Sequence, residues 1–423
     1  MRSFLILSSL LLNVWSFGQI EEVRRITKEL CSPEFHGRGY VNKGDSVAAE
    51  FLKAEFEKLD IQTYDDSYFQ HFNLDVNTFP GTMSIKHEGK ELTPGLHFSI
   101  DPNAVGRKGK LKLKEITATQ ALNVEVMRSI VTEMLNKQVG DEALVFDLTI
   151  VSKDTVKLLK GITPQLAEYL PIVEVVNEKF TWSVGRGERY FPFLQIQDSV
   201  INKQGVLELN IESEFIKDYQ SQNVIGYIPA KKKCAKTILF TAHYDHLGRM
   251  GENTYFPGAN DNASGTAMLF TMAKYFKENP SKYNVMFVAF GGEEAGLVGS
   301  KYFVENPILK LKKIRFVVNL DIMGSGEDGI TVVNGTLFEK EFALLQEINE
   351  ENNLLNEVKV RGPAANSDHY WFTLQDVPAF FIYTRGPNKH YHDVFDEYEA
   401  LSFLEYQDIT SLLVEFVNRL EKK

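Results

Sequence analysis

No apolar run in this chain reaches the roughly 20 residues that cross a bilayer ~30 Å thick, which excludes stable membrane insertion. Cysteine is nearly missing. Cys31 and Cys234 allow at most one disulfide, and their separation along the chain does not decide whether they meet in space. Positive charge is in the minority, 46 Lys and Arg against 57 Asp and Glu, with the basic residues in scattered short runs such as 107–114. That balance argues against a nucleic-acid partner. Repeats and low-complexity stretches are missing too. What remains is an ordinary globular chain of 423 residues, 43% hydrophobic, long enough for one large domain and a smaller one.

Residues 1–18 carry Arg2, the apolar stretch from Phe4 to Leu12 and small residues up to Gly18. This is the pattern of a cleaved secretory leader, and it predicts a secreted or periplasmic protein beginning at Gln19. Cys31 does not follow the apolar stretch directly, which argues against lipid modification at the cleavage point.

Residues 43–60 place Ala48, Leu52, Phe56 and Leu59 on one helical face, with Asp45 or Ser46 available as the cap. The preceding His36-Gly-Arg-Gly39 reads either as a plain surface turn or as a turn that brings Arg38 to a cleft. From about 76 to 219 the texture changes to a hairpin-like run (82–92), short strand-like runs (143–150, 171–176, 190–196, 206–211) and one amphipathic helix, read as an inserted, mostly β accessory domain. Residues 19–75 and 220–423 then make up the main domain, where strands and helices alternate as in a doubly wound α/β fold with a mixed sheet.

In that main domain four β-branched or apolar runs each end in chemistry. Thr237–Ala242 runs into His243 and Asp245, 284–290 into Glu293 and Glu294, 314–320 into Asp321, and 377–383, through a Gly-Pro loop, into His390-Tyr391-His392. Asp261 opens the helix that follows the first strand, whose positive amino end favours nearby anions. Singly, each has a bland explanation: a buried histidine is usually hydrogen-bonded core, and an aspartate after a strand is usually a cap. Repetition at the carboxyl ends of strands, where ligands bind in open α/β sheets, weakens that explanation. Two imidazoles and three carboxylates suit borderline-soft divalent ions, zinc first. A carboxylate bridging two ions ~3.5–4 Å apart is the recurring device of two-metal hydrolases. Spacing alone leaves open which of Glu293 and Glu294 is ligand and which is base, and it leaves His390 as a rival to His392.

The ordered motifs His243-x-Asp245, Gly258-Ala-Asn-Asp261-Asn-Ala-Ser-Gly265, Gly292-Glu293-Glu294, Asn319-Leu-Asp321-x-Met323-Gly324, Ser367-Asp368-His369 and Tyr391-His392 resemble those of the secreted bacterial di-zinc aminopeptidases. That family includes glutamate carboxypeptidase and, as degenerate relatives, transferrin receptor and glutaminyl cyclase. The insert is similar only loosely to the family's protease-associated domain. The resemblance implies a zinc-exopeptidase fold and two Zn²⁺ per chain: one on His243 and Asp321, the other on Glu294 and His392, with Asp261 between them. It implies Glu293 as general base, Asp245 orienting the His243 ring, and Asp368 and His369 shaping the substrate pocket. For Tyr391 it implies an oxyanion donor, while the residue itself reads equally as packing.

The implied activity is removal of N-terminal residues from peptides through a dinuclear zinc-activated water. A carboxypeptidase or dipeptidase acting on acidic peptides is the alternative, and a cluster formed by Arg249, Arg361 and Arg385 would mark it. An inactive receptor-like binding protein is disfavoured because all five ligands and the base are present. The single-zinc cyclase branch is disfavoured because His243 completes a second site.

Overall fold

The computed structural model describes residues 20–136, 141–231 and 235–420. Residues 1–18, expected to be a leader, and Cys234 lie outside the described residues.

Two eight-stranded sheets organise the chain. In the first, the strands run in the order Phe69–Thr78, Glu214–Ile228, Asn284–Phe290, Thr237–His243, Ile314–Asp321, Ala379–Thr384, Ile330–Val333, Val358–Val360. Thr237–His243 is parallel to both of its neighbours, and Ile314–Asp321 is parallel to Ala379–Thr384. Outside that parallel centre, Glu214–Ile228 and Ile330–Val333 pair antiparallel, so the sheet is mixed. Every residue of Thr237–His243 and of Ile314–Asp321 is buried. Strands covered on both faces have no wet side on which to alternate, and hence read as continuous apolar runs.

One face of this sheet is covered by the helices Gly44–Lys58, Gly265–Glu278, Glu339–Asn352 and Tyr406–Arg419, through Leu52, Phe56, Phe270, Phe276, Leu345 and Phe416. The other face is covered by Val298–Glu305 and His369–Thr373 through Phe303 and Phe372. Chain order reverses at Thr237–His243, with the next strand in sequence on one side and the following one on the other. That is the switch point where a crevice opens beyond the carboxyl ends.

The helix expected over 43–60 spans Gly44–Lys58, but its cap differs. Lys43 at the N-cap has a left-handed backbone and no side-chain cap bond. Asp45 is fully buried instead and accepts from Tyr219 Oη at 2.5 Å and Ser221 Oγ at 2.8 Å.

The second sheet orders Lys90–Leu92, Met83–His87, Val206–Ile211, Lys108–Ile116, Glu142–Asp147, Ile172–Val176, Phe193–Gln197, Phe98–Ile100. Two long helices accompany it, Val124–Asn136 and Lys153–Leu166, where the sequence led us to expect one. Gly161 and Pro164 obscured the second. Pro164 lies in the last turn of that helix, and Ser152 caps the other end by accepting from Thr155 N. The strand expected to run to Ile150 stops at Asp147, whose carboxylate accepts the amide of Thr149 and turns the chain. Phe69–Thr78 and Glu214–Ile228 pair antiparallel and carry the chain between the sheets, so positions 75/76 and 219/220 fall inside paired strands.

Candidate metal centre

His243 is the last residue of Thr237–His243 and Asp321 the last of Ile314–Asp321, so two adjacent strands deliver them to one rim. Nε2 of His243 stands 3.3 Å from Asp261 Oδ1 and 3.4 Å from Asp321 Oδ1. Nε2 of His392 stands 3.1 Å from Asp261 Oδ2 and 3.1 Å from Glu294 Oε2. Asp261 therefore turns one oxygen to each imidazole. His390, the rival, is half-buried, and its Nδ1 faces Asp393 at 3.5 Å.

Hydrogen bonds tie the loops beneath these groups together. The turn 259–264, which contains a cis Asp261–Asn262 peptide, brings in Asp261, and both oxygens of Asp396 accept the amides of Asn260 (2.9 Å) and Asp261 (3.0 Å). Asn262 Nδ2 donates to Leu320 O at 3.0 Å, joining the turn to the neighbouring strand. Gly258 has a left-handed backbone, and a Cβ there would sit 2.3 Å from the His246 ring, so that position requires glycine. Ser367 Oγ donates to Asp321 Oδ2 at 3.1 Å and is itself held by Asn319 Nδ2 at 2.8 Å.

Asp245 is fully buried. Its carboxylate lies 3.8 Å from His243 Nδ1 and accepts the amides of Glu293 (3.1 Å) and Glu294 (3.3 Å). The His243 ring is oriented by the backbone carbonyl of Asp245 at 3.2 Å, which can only accept; Nδ1 thus carries the hydrogen, and Nε2 faces the cluster. His246, also fully buried, sets Nδ1 at 2.8 Å from Glu294 Oε1 and so fixes that carboxylate from behind.

Arg38, which the sequence left between a surface turn and a cleft, is neither. It is 0% exposed and donates to four backbone carbonyls: Tyr244 (2.8 Å), Leu30 (2.9 Å), Pro257 (2.6 Å) and Gly258 (2.7 Å). It pins the N-terminal segment under both loops that carry the site.

The cavity at this rim measures about 280 Å³ and is lined by His243, Asp261, Glu293, Asp321, Tyr391 and His392, with Ile322, Arg361, Asn366, Phe381 and Tyr383 completing its wall. Tyr391 is half exposed, and its ring stacks on His392 at 3.9 Å. Asp368 and His369 are buried behind the wall rather than on it, with the His369 ring 5.3 Å from that of Phe381. Nothing in the spacing singles out Asp396 or Asn262 as supports; only their proximity in sequence to His392 and Asp261 hints at a role.

The electrostatics are those of an acidic nest. Burial opposes the charged form of His392, but Glu294 and Asp261 outweigh it and carry the imidazole up to about 11. Burial likewise opposes a charged His243, and Glu293, Asp321 and Asp261 overcome it. Burial would raise Glu294, yet His392 and His246 hold it down at about 2. For Glu293 burial wins, helped by Glu294, Asp368 and Asp321, and its carboxyl is pushed well above the usual range. The carboxylates thus favour positive charge on His243 and His392, whereas burial outweighs them at His246 and lowers it.

Does this donor set suit a metal? Asp321 Oδ1 is enclosed and has no aligned hydrogen-bond donor among the described residues, as expected of an oxygen kept for a cation. His243 with Asp261 and Asp321, and His246 with Asp261 and Glu294, each gather ligand atoms within 4.8 Å of one another. Imidazole nitrogens mixed with carboxylates are the ligand chemistry of zinc.

Residues 223–417 match peptidase family M28. Aminopeptidase YwaD of Bacillus subtilis is 38% identical over 120 residues, 28% of this chain and 25% of that relative, so the match reaches only a quarter of its length. A probable leucine aminopeptidase of Trichophyton verrucosum is 25% identical over 59% of this chain and 68% of its own. The solved structure of BSAP, a zinc aminopeptidase from Bacillus subtilis, superposes over 95% of this chain and 96% of its own with a TM-score of 0.67 at 18% identity, which establishes a shared fold. The side chains gathered at the strand ends lie within the segment 223–417, and it is this segment that matches peptidase family M28.

Proposed function

We propose that the chain is a secreted or periplasmic zinc aminopeptidase with two Zn²⁺, built as a peptidase domain (19–75 and 220–423) carrying an inserted domain (76–219). The observation that carries this reading is the position of Asp261, whose two oxygens face two different imidazoles at 3.3 and 3.1 Å. His243 and Asp321 would hold one ion, Glu294 and His392 the other, and Asp261 both. Bound there, zinc supplies Lewis acidity, polarising a carbonyl and making water more acidic.

The chain's own groups do the rest. Glu293 lines the cavity beside His243, and in its ionised form it would take the proton of the attacking water and return it to the amine nitrogen that leaves. The Tyr391 phenol stays protonated, since burial and the surrounding carboxylates push it well up, and it donates to the oxyanion as charge develops. The carboxylate rim favours the positively charged amino terminus of a peptide.

The carboxypeptidase reading needs an arginine cluster, and the arginines are dispersed. Arg249 is engaged with His36 and the backbone of Gly251, and Arg385 with Glu357. Of the three, only Arg361 lines the cavity. The test is metal analysis of purified protein together with hydrolysis of aminoacyl anilides and N-blocked peptides, before and after chelation. About two zinc per chain and chelator-sensitive release from free-amino substrates are expected. Activity confined to blocked or acidic peptides would replace this reading with the carboxypeptidase one.

A further inference from the structure

His392 sits in a loop that no helix or strand supports, and its backbone is left-handed (φ 52°), a conformation a non-glycine residue keeps only when its surroundings hold it. The holding bonds come from the other sheet. The segment that leaves the strand Ile172–Val176 turns back over the loop, and Lys179 Nζ donates to Lys389 O at 2.7 Å and to Asp393 Oδ2 at 2.5 Å. Three residues later, the backbone amide of Trp182 donates to the carbonyl of His392 itself at 2.9 Å. Asp393 is almost fully buried, so the lysine is the counter-charge of an otherwise enclosed carboxylate.

Trp182 is in turn fixed at both ends. Its Nε1 donates to Ile100 O at 2.7 Å, and its ring stacks on Phe256 at 4.9 Å. Val394 packs into the same apolar cluster as Trp182, which extends from the second sheet to Leu247, Met250 and Phe256 of the loop after His243.

We propose that the segment Lys179–Trp182 is a positioning clamp through which the inserted domain sets the place of His392. The inference rests on the reading of His392 as a zinc ligand. Its consequence is selective: loosening the clamp weakens one zinc site and spares the other, because His243 and Asp321 stand on strands of the first sheet.

The test is equilibrium zinc binding to the full chain in competition with a chromophoric chelator. Lys179→Met is expected to weaken one of the two zinc equivalents about 10-fold, the scale on which groups behind a ligand act. Lys179→Arg, which keeps the charge, is expected to restore most of that loss, and a purely structural role would move both equivalents together. His392→Ala identifies the equivalent concerned. If His392→Ala loses one equivalent while Lys179→Met binds both as the parent does, the clamp is overturned and the ligand reading survives. If His392→Ala loses none, both fall. Should Lys179→Met not fold, Asp393→Asn, which keeps the shape and removes the partner charge, is read the same way.

Discussion

Asp396 accepts the backbone amide of Asp261 on Oδ2 at 3.0 Å, and its other oxygen accepts the amide of Asn260 at 2.9 Å. A carboxylate on the last loop of the site thus holds the turn that presents Asp261, the ligand proposed to be shared. Asp396→Asn replaces one acceptor oxygen by a donor facing a donor. It is expected to cost about 1–3 kcal/mol of stability, the penalty of a buried amide left unpaired. Zinc affinity is expected to fall ~10–100-fold. Urea unfolding and chelator competition measure the two losses; unchanged values in both would remove Asp396 from the support of the site.

Glu293 and Glu294 are adjacent in sequence and are separated by geometry. Glu294 is engaged by His392 at 3.1 Å and His246 at 2.8 Å, while Glu293 lines the cavity. Glu293→Gln should keep its metal and lose ~10²–10⁴-fold in kcat, the range for removal of a general base. Glu294→Gln should instead lose metal. Metal content measured beside turnover for the two variants decides the order, and the reverse pattern would exchange the roles.

Arg38 offers a test of the framework rather than the chemistry. Removing its guanidinium in Arg38→Met strips the donor from four enclosed carbonyls, those of Leu30, Tyr244, Pro257 and Gly258. Each lost partner costs on the order of 1 kcal/mol or more, so a total of roughly 3–5 kcal/mol is expected. A thermal melt within a degree or two of the parent would show that the carbonyls find other donors.

Sequence exposed the parallel centre of the first sheet and the residues that gather at its rim for the same reason. Fully covered strands are unbroken apolar runs, and a charged or imidazole residue at the end of such a run stands out. Supports were harder to see because they act through backbone groups. Asp245 accepts amides and lends the His243 ring its carbonyl, Arg38 donates to carbonyls, and the spacing of side chains carries no record of either. The clamp at Lys179 was invisible as well, since 214 positions separate it from Asp393 and one exposed lysine among many has no signature of its own.

Cys31 reports on burial. Its thiol is pushed up to about 12, chiefly by burial and against the pull of Arg38. In a Cys234→Ser background, a water-soluble thiol reagent at pH 8 should leave the folded chain unlabelled and label it once denatured. The folded pKa lies above the usual 9.0, so between those values the unfolded chain has given up a proton that the folded chain keeps. Stability therefore falls as pH rises through that window, by ~1.4 kcal/mol per unit, and nothing is lost below it. Cys31→Ala removes this term, and its stability deficit at pH 8 should shrink by about 1.4 kcal/mol at pH 10. An unchanged deficit would mean that the thiol ionises in the folded chain.

Arg361 is the remaining handle on substrate choice. It lines the cavity and donates to Tyr383 Oη at 3.2 Å, leaving other guanidinium hydrogens available. A single charged hydrogen bond to a substrate carboxylate is worth about 1.5–3 kcal/mol, or roughly 10–100-fold in kcat/KM. Aminoacyl anilides carry no carboxylate, so Arg361→Met should change their kcat/KM by only a few-fold, through packing against Tyr383. Dipeptides whose free carboxyl end reaches Arg361 should lose the larger factor, mostly in KM, because that contact is as strong in the ground state as in the transition state. Equal losses on anilides and dipeptides would place Arg361 in the framework of the cavity. A loss of all turnover, on anilides included, would place it at the reacting centre.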